Sequence, residues 1–91
     1  MTTAGQRPRK SPQFQAEFLD GEALLFTQSG STIIHCNATA LMVWQLCTGS
    51  RTIDDIVSLL RAAYPDDVDV LHRDVYATLL QLSDNNAVEW I

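Results

Sequence analysis

The sequence predicts an α+β fold in a single domain, with a three-stranded antiparallel sheet packed on three helices. The chain has 91 residues, of which 46% are hydrophobic and 19% charged. This composition fits one folded domain and excludes disorder caused by low hydrophobicity and high charge. Two patterns define the class. Polarity alternates around Asp20 and Gly21, and apolar residues later recur every three to four positions.

The first thirteen residues predict a flexible basic tail. They hold two of the three prolines and three of the six cations, Arg7, Arg9 and Lys10, and they show no periodicity. The folded part is therefore expected over residues 14–91.

The segment from residue 14 to residue 35 predicts three strands in a meander. Apolar and polar residues alternate from Phe14 to Phe18, and Asp20-Gly21 is a strong hairpin signal. Residues 22–27 form the second strand, and a turn then leads to a short third strand over residues 32–35. A meander of this size needs a helical layer against one face.

Capping residues delimit the first two predicted helices. Asn37 is a suitable N-cap for a helix that continues to about residue 48, and Gly49 is expected to end it as the C′ glycine. Thr52 caps the second helix, which ends before Pro65.

The third helix is expected to run to about Ser83 and to begin at one of three aspartates, Asp66, Asp67 or Asp69. Its core-facing stripe consists of four residues at helical spacing: Leu71, Val75, Leu79 and Leu82. Residues 88–91 form a short extended end.

The charge distribution disfavours duplex DNA as a partner. The net charge is −5, but from residue 13 onward three basic residues stand against eleven acidic ones, which gives about −8. DNA binding usually depends on a basic face that displaces phosphate counterions.

No run approaches the roughly 18 apolar residues of a membrane span, and no secretory signal is recognisable. Two cysteines are too few for a disulfide scaffold, so we expect both thiols to be reduced and the protein to be cytoplasmic.

The candidate reactive residues do not form a chemical site. The spacing of His35, Cys36, Cys47 and His72 lacks the paired ligands of a zinc finger. A strand places His35 and Cys36 on opposite sides, which prevents a catalytic pair. The aspartates before the third helix are better explained by capping than by calcium, and no glycine-rich phosphate loop is present. We therefore expect neither a metal, a cofactor nor enzymatic activity.

Two exposed surfaces remain as candidates for binding. The third strand lies at the end of the meander, and a strand edge is a template for a strand from another chain. On a helical wheel, Tyr76 and Leu80 lie outside the core stripe of the third helix. Either that helix is covered on two faces, or these residues line a groove for a partner.

At this point the sequence resembles a known family. The segments NATALMVWQLCTGSRTIDDIVSLLRAAYP and DVYATLLQLSDNNAVEW are similar to the pyrroloquinoline quinone biosynthesis protein D (PqqD) family, over about residues 20–91. One departure is Thr48-Gly49, where the family has an acidic residue before the glycine. The stretch FTQSGSTIIHCN resembles the subgroup from lasso-peptide clusters.

The resemblance implies a RiPP recognition element with a winged-helix-like fold. Such domains bind the leader of a ribosomally made precursor peptide and present it to a modifying enzyme, either a radical SAM enzyme or a lasso-type protease and cyclase. The leader adds to the third strand and lies against the third helix. By position, the peptide-binding residues would be Thr32, Ile33, Ile34, His35, Leu71, Arg73, Asp74, Tyr76, Ala77 and Leu80.

This interpretation predicts the effect of two substitutions, and two alternative functions remain. Ile34→Asp or Leu80→Asp is expected to abolish leader binding without unfolding the domain, and Arg73 is expected to pair with an acidic leader residue. A winged-helix DNA-binding regulator has the same architecture, but its recognition helix would contain only one cation. A structural adaptor that docks only to an enzyme subunit is the other alternative. A monomer is expected, with a weak strand-mediated homodimer as the alternative.

Overall fold

The computed structural model describes residues 6–63 and 68–91. The order of elements is strand, three strands of a meander, three helices and a final strand. Their bounds are β1 Pro8–Lys10, β2 Phe14–Leu19, β3 Glu22–Thr27, β4 Ile33–Cys36, α1 Ala38–Leu46, α2 Ile53–Ala63, α3 Val68–Asp84 and β5 Val88–Trp90.

The predicted meander is confirmed. β2, β3 and β4 form an antiparallel sheet in that order. Leu19 pairs with Glu22 across a two-residue turn in which Asp20 and Gly21 have φ values of 48° and 81°. Both angles are positive, as a type I′ turn requires, and this turn matches the twist of the paired strands. The third strand begins and ends one residue later than the predicted range 32–35.

The prediction of a flexible tail is wrong for residues 8–10, which form β1. This strand pairs with β5, and Arg9 lies 2.6 Å from Glu89 across the pair. The ammonium group of Lys10 lies 5.1 Å from the ring centre of Trp44. Two of the three tail cations therefore have fixed partners, one ionic and one cation–π. Residues 1–5 lie outside the described residues.

The observed starts of α1 and α2 agree with the predicted ones, whereas the observed end of α1 does not. The side chain of Asn37 accepts a hydrogen bond from Ala40 N at 2.9 Å, as predicted for an N-cap. Thr52 and Asp55 exchange two hydrogen bonds at the start of α2, which makes a capping box. Gly49 is not the C′ residue, since α1 has its C-cap at Cys47. Gly49 has a φ of 85° in the following loop, where its N–H donates to Pro8 O.

The core lies between the inner face of the meander and the three helices. The predicted stripe of α3 is confirmed, because its four residues are all buried. α3 packs on both other helices and on β5, and α1 packs on β3 and β4. Three aspartates were predicted as possible caps of α3. Asp66 and Asp67 lie outside the described residues, and Asp69 lies within the first turn of the helix. Among the described helices, none is long and apolar enough to span a bilayer.

Candidate functional site

The outer edge of β4 has no neighbouring strand among the described residues. Thr27 N donates to Thr32 O in the same register that pairs β3 with β4. Hydrogen-bonded and non-bonded pairs alternate along an antiparallel ladder. Ile34 and Cys36 therefore bond to β3, whereas the N–H and C=O groups of Ile33 and His35 point away from the sheet. An extended peptide has two residues here with which to form a ladder.

The side chains of β4 alternate in the same way. Ile34 is 6% exposed and lies in the core, whereas Ile33 is 64% exposed on the outer face. The expectation that Ile34→Asp would leave the fold intact is therefore wrong, because it would place a charge in the core. His35 is exposed and its Nε2 lies 2.5 Å from Glu22 Oε1 on β3.

A cleft of about 480 Å³ begins where β4 ends. Its three walls are the end of β4, the first turn of α1 and one face of α3. The lining residues are His35, Asn37, Thr39, Ala40, Asp74, Ala77, Thr78 and Gln81. The cleft is continuous with the open edge through His35, which belongs to both.

The structure brings together three of the sequence-predicted site residues at the cleft: His35, Asp74 and Ala77. Thr32 and Ile33 lie along the neighbouring edge. Leu71 was also predicted as a peptide contact; its side chain is 5% exposed and belongs to the core.

Arg73, Tyr76 and Leu80 do not line the cleft. On the α3 wheel they are about 90–150° from the centre of the cleft face. Tyr76 is half-buried and packs against the core, and Leu80 is 40% exposed. The two residues that appeared to widen the apolar stripe therefore widen it on the side away from the cleft.

Sequence reasoning missed five lining residues: Asn37, Thr39, Ala40, Thr78 and Gln81. Two of them continue a stripe at positions i, i+3, i+4 and i+7 that begins at Asp74 and Ala77. This run of small and polar residues beside an apolar stripe was a readable signal. Asn37, Thr39 and Ala40, at the start of α1, gave no such signal, because the approach of this helix end to α3 is a tertiary contact.

The electrostatics of the cleft are dominated by one carboxylate. Asp74 is exposed, and in the described part of the chain it has no hydrogen bond or ion pair. None of the lining residues is Lys or Arg. The N-terminus of α1 contributes at most about half a positive charge. Asn37 already caps one of its N–H groups.

The two thiols are buried and unpaired. Burial raises the pKa of Cys36, and it raises the pKa of Cys47 to about 12, against a smaller opposing effect of Lys10. A thiolate is the reactive form of cysteine, so neither residue is an activated nucleophile. Among the described residues, no three His, Cys, Asp or Glu side chains cluster as metal ligands. The geometry is suited to holding an extended peptide.

Comparison with known proteins gives one family and several related folds. Residues 22–88 match the family described as coenzyme PQQ synthesis protein D (PqqD). No curated protein sequence matches the chain significantly.

Three solved structures have the same fold, each with a TM-score of 0.76. TbiB1 in complex with the TbiA(beta) leader peptide is 24% identical, over 89% of this chain and 94% of that one. Lasso peptide synthetase B1 complexed with the leader peptide is 21% identical, over 91% and 98%. The PqqD truncation of Methylobacterium extorquens PqqCD, a stand-alone RiPP recognition element, is 19% identical, over 97% and 93%.

Proposed function

The chain belongs to the PqqD family, and from this premise we propose that it is a RiPP recognition element. It binds the leader segment of a ribosomally made precursor peptide and delivers it to a modifying enzyme, without catalysing a reaction itself. The observation that carries this proposal is the open edge of β4 beside the cleft, because the edge offers a ladder and the cleft a receptor for side chains.

The choice of β4 over the other edge of the sheet follows from what lies beside each strand. β2 is also an edge strand. The cleft, however, is lined by residues of β4, α1 and α3 and by none of β2. A peptide on β4 therefore gains side-chain contacts as well as main-chain hydrogen bonds. Specificity in strand addition depends on such pockets, because the main-chain bonds are the same for every sequence.

The binding energy is expected to be shared between the ladder and the side chains. Each main-chain hydrogen bond contributes about 0.5–1.5 kcal/mol net. The exposed side chain of Ile33 supplies an apolar contact on the outer face, worth up to about 1.5–3 kcal/mol if fully covered. The cost of ordering the leader is subtracted from this sum. The ladder bonds and Ile33 together supply at most about 9 kcal/mol before that cost, so micromolar affinity also requires side-chain contacts in the cleft.

Two similar structures support the identity of the partner. Their names state that TbiB1 and a lasso peptide synthetase B1 are bound to leader peptides. We extend this to a precursor leader and a lasso-type protease and cyclase as the partners here, with a radical SAM enzyme as the second class. The winged-helix-like arrangement and a cytoplasmic location belong to the same proposal. The DNA-binding alternative has no supporting observation, because the cleft has no cation.

The decisive experiment replaces a single edge donor. Ile33→Pro removes an N–H that points away from β3, and proline is tolerated at such edge positions. The titration uses ¹⁵N-labelled protein and a synthetic leader of the short precursor that we expect among the genes beside this one. With wild-type protein we expect the amide signals of Ile33 and His35 to shift most, and with Ile33→Pro the affinity should fall at least tenfold.

Phe18→Pro is the matched control on β2. A two-residue hairpin closes on a hydrogen-bonded pair, here Leu19 and Glu22, so the N–H of Phe18 points away from β3. Phe18 is 60% exposed, and its replacement should leave leader affinity within twofold. Equal losses in both proline variants, or shifts confined to other strands, would refute binding at β4.

Leu80→Asp tests how far the contact extends along α3. Because Leu80 lies about 110° round the helix from the cleft face, we expect a change of less than about threefold. This replaces the sequence-based expectation of complete loss. A loss comparable to that of Ile33→Pro would mean that the leader also covers the Leu80 side of α3.

A further inference from the structure

We propose that the cleft at the end of β4 receives a basic side chain of the bound peptide, and that the carboxylate of Asp74 is its ionic partner. This inference rests on the proposed function and concerns the chemical class of one leader residue. It begins from the chemistry of the lining residues, of which most are polar and one is an unpaired acid.

The lining residues form a suitable receptor for an ammonium or guanidinium group. Such a group has three to five N–H donors and no acceptor. Asp74 supplies a full negative charge, and the side chains of Thr39, Thr78 and Gln81 supply oxygen acceptors around it. A long aliphatic side chain with a charged end also fits the shape, since Ala40 and Ala77 leave room for its methylene groups.

The other charges around the cleft do not reverse this preference. On the β4 wall, His35 is directed to Glu22, with 2.5 Å between Nε2 and Oε1. On the α1 wall, the helix N-terminus has only a partial positive charge and is capped by Asn37. On α3, Arg73 lies about 100° round the helix from Asp74 and does not line the cleft.

The position of the basic residue in the peptide follows from the ladder. A strand added to β4 pairs with Ile33 and His35, and His35 also lines the cleft. The side chain that enters the cleft therefore belongs to the part of the peptide beside His35 or just beyond it. We expect one fixed position, next to the paired segment, at which lysine or arginine is favoured.

The test is a selection from a display library of random twelve-residue peptides against the purified chain. Bound peptides should be enriched in lysine or arginine at one position relative to a common extended core. Asp74→Asn should weaken the enriched peptides about three- to tenfold, as expected for a partly shielded ion pair. Asp74→Lys should select peptides with an acidic residue at that position.

Asp84→Asn is the matched control, because Asp84 is exposed on the same helix and does not line the cleft. It should leave affinity within twofold. Peptides that shift the amide signals of Ile33 and His35 but show no basic preference, or that bind Asp74→Asn unchanged, would overturn this inference and leave the proposed function standing. Failure to select any peptide that shifts those signals would overturn both.

Discussion

The strands β1 and β4 are both short, but they use their hydrogen-bonding groups differently. Along β1 and the residue before it, odd-numbered residues bond to the C-terminal segment, as in the reciprocal pair of Arg7 and Ile91. Even-numbered residues bond to the loop after α1, since Lys10 N donates to Cys47 O and Pro8 O accepts from Gly49 N. In β4, the backbone groups of Ile34 and Cys36 bond to β3, whereas the backbone groups of Ile33 and His35 face outward.

This difference shows what an occupied edge looks like in the protein itself. β1 has only three residues, yet it is held on both sides and buries the ring of Pro8. A short extended segment is therefore enough to fill an edge when a neighbouring surface fixes its side chains. At β4 the neighbouring surface is present as the cleft, but no described segment of the chain fills it. A leader peptide would do at β4 what residues 8–10 do between β5 and the loop.

The largest expected effect separates the two faces of β4. Ile34→Asp buries a carboxylate in the core and should destabilise the domain by several kcal/mol, enough to unfold it. Ile33→Asp, at an exposed position on the same strand, should change the free energy of unfolding by less than about 1 kcal/mol. Urea denaturation followed by circular dichroism distinguishes them. Similar stabilities for the two variants would contradict the assignment of faces.

The next effect concerns β1. Deleting residues 1–10 removes the backbone hydrogen bonds of residues 7–10 and the buried ring of Pro8, and should lower the free energy of unfolding by about 3–5 kcal/mol. Arg9→Ala removes only an exposed ion pair and should cost less than about 1 kcal/mol. Denaturation monitored by tryptophan fluorescence gives both values. A deletion as mild as Arg9→Ala would mean that β1 adds nothing to the fold.

The last effect concerns chemical reactivity and not stability. It compares Cys47, which accepts a hydrogen bond from β1, with Cys36, which ends β4. Because burial raises the pKa of Cys47 to about 12, its alkylation by iodoacetamide at pH 8 should be roughly a thousandfold slower in the native state than in urea. Cys36 ends β4 and also has a raised pKa. Mass spectrometry should show that a bound leader slows Cys36 further and leaves Cys47 unchanged. Equal protection of both would indicate general stabilisation.

The same thiol predicts the direction of a pH effect on stability. The folded pKa of Cys47 is raised, so the native state retains a proton that the unfolded chain loses. Stability from this group is complete below the unfolded pKa, and it decreases as the pH rises from about 9 towards about 12. In urea denaturation at a series of pH values, Cys47→Ala should remove the part of this dependence that Cys47 contributes and leave the part from Cys36, whose pKa burial also raises.

Local signals predicted the elements whose residues interact with near neighbours. Asp20-Gly21 gave the hairpin because both positions need a positive φ. Asn37 and Thr52 gave two helix starts because each cap is satisfied within three residues. The orientation of Ile33 and Ile34 was not predictable in this way, since two isoleucines in succession give alternation no preferred face.

The candidate site was predicted in outline, but the structure places several of the predicted side chains away from the cleft. The edge of the third strand and one side of the third helix were named, and His35, Asp74 and Ala77 do line the cleft. Tyr76 and Leu80 were favoured because they are apolar, but the cleft face of α3 is small and polar. The apolar residues Tyr76 and Leu80 indicated that α3 has more than one contact surface. They did not indicate on which side of α3 the cleft lies.

The sequence by itself determined the α+β class, the hairpin, the starts of two helices and the buried stripe of α3, because these depend on interactions over a few residues or on a helical period. The tertiary structure alone decided that Pro8–Lys10 is a strand, that α1 forms one wall of the cleft and that β4 keeps an open edge. Each of these requires segments far apart in the chain to meet. Such meetings depend on how the whole core packs, and no local pattern encodes them.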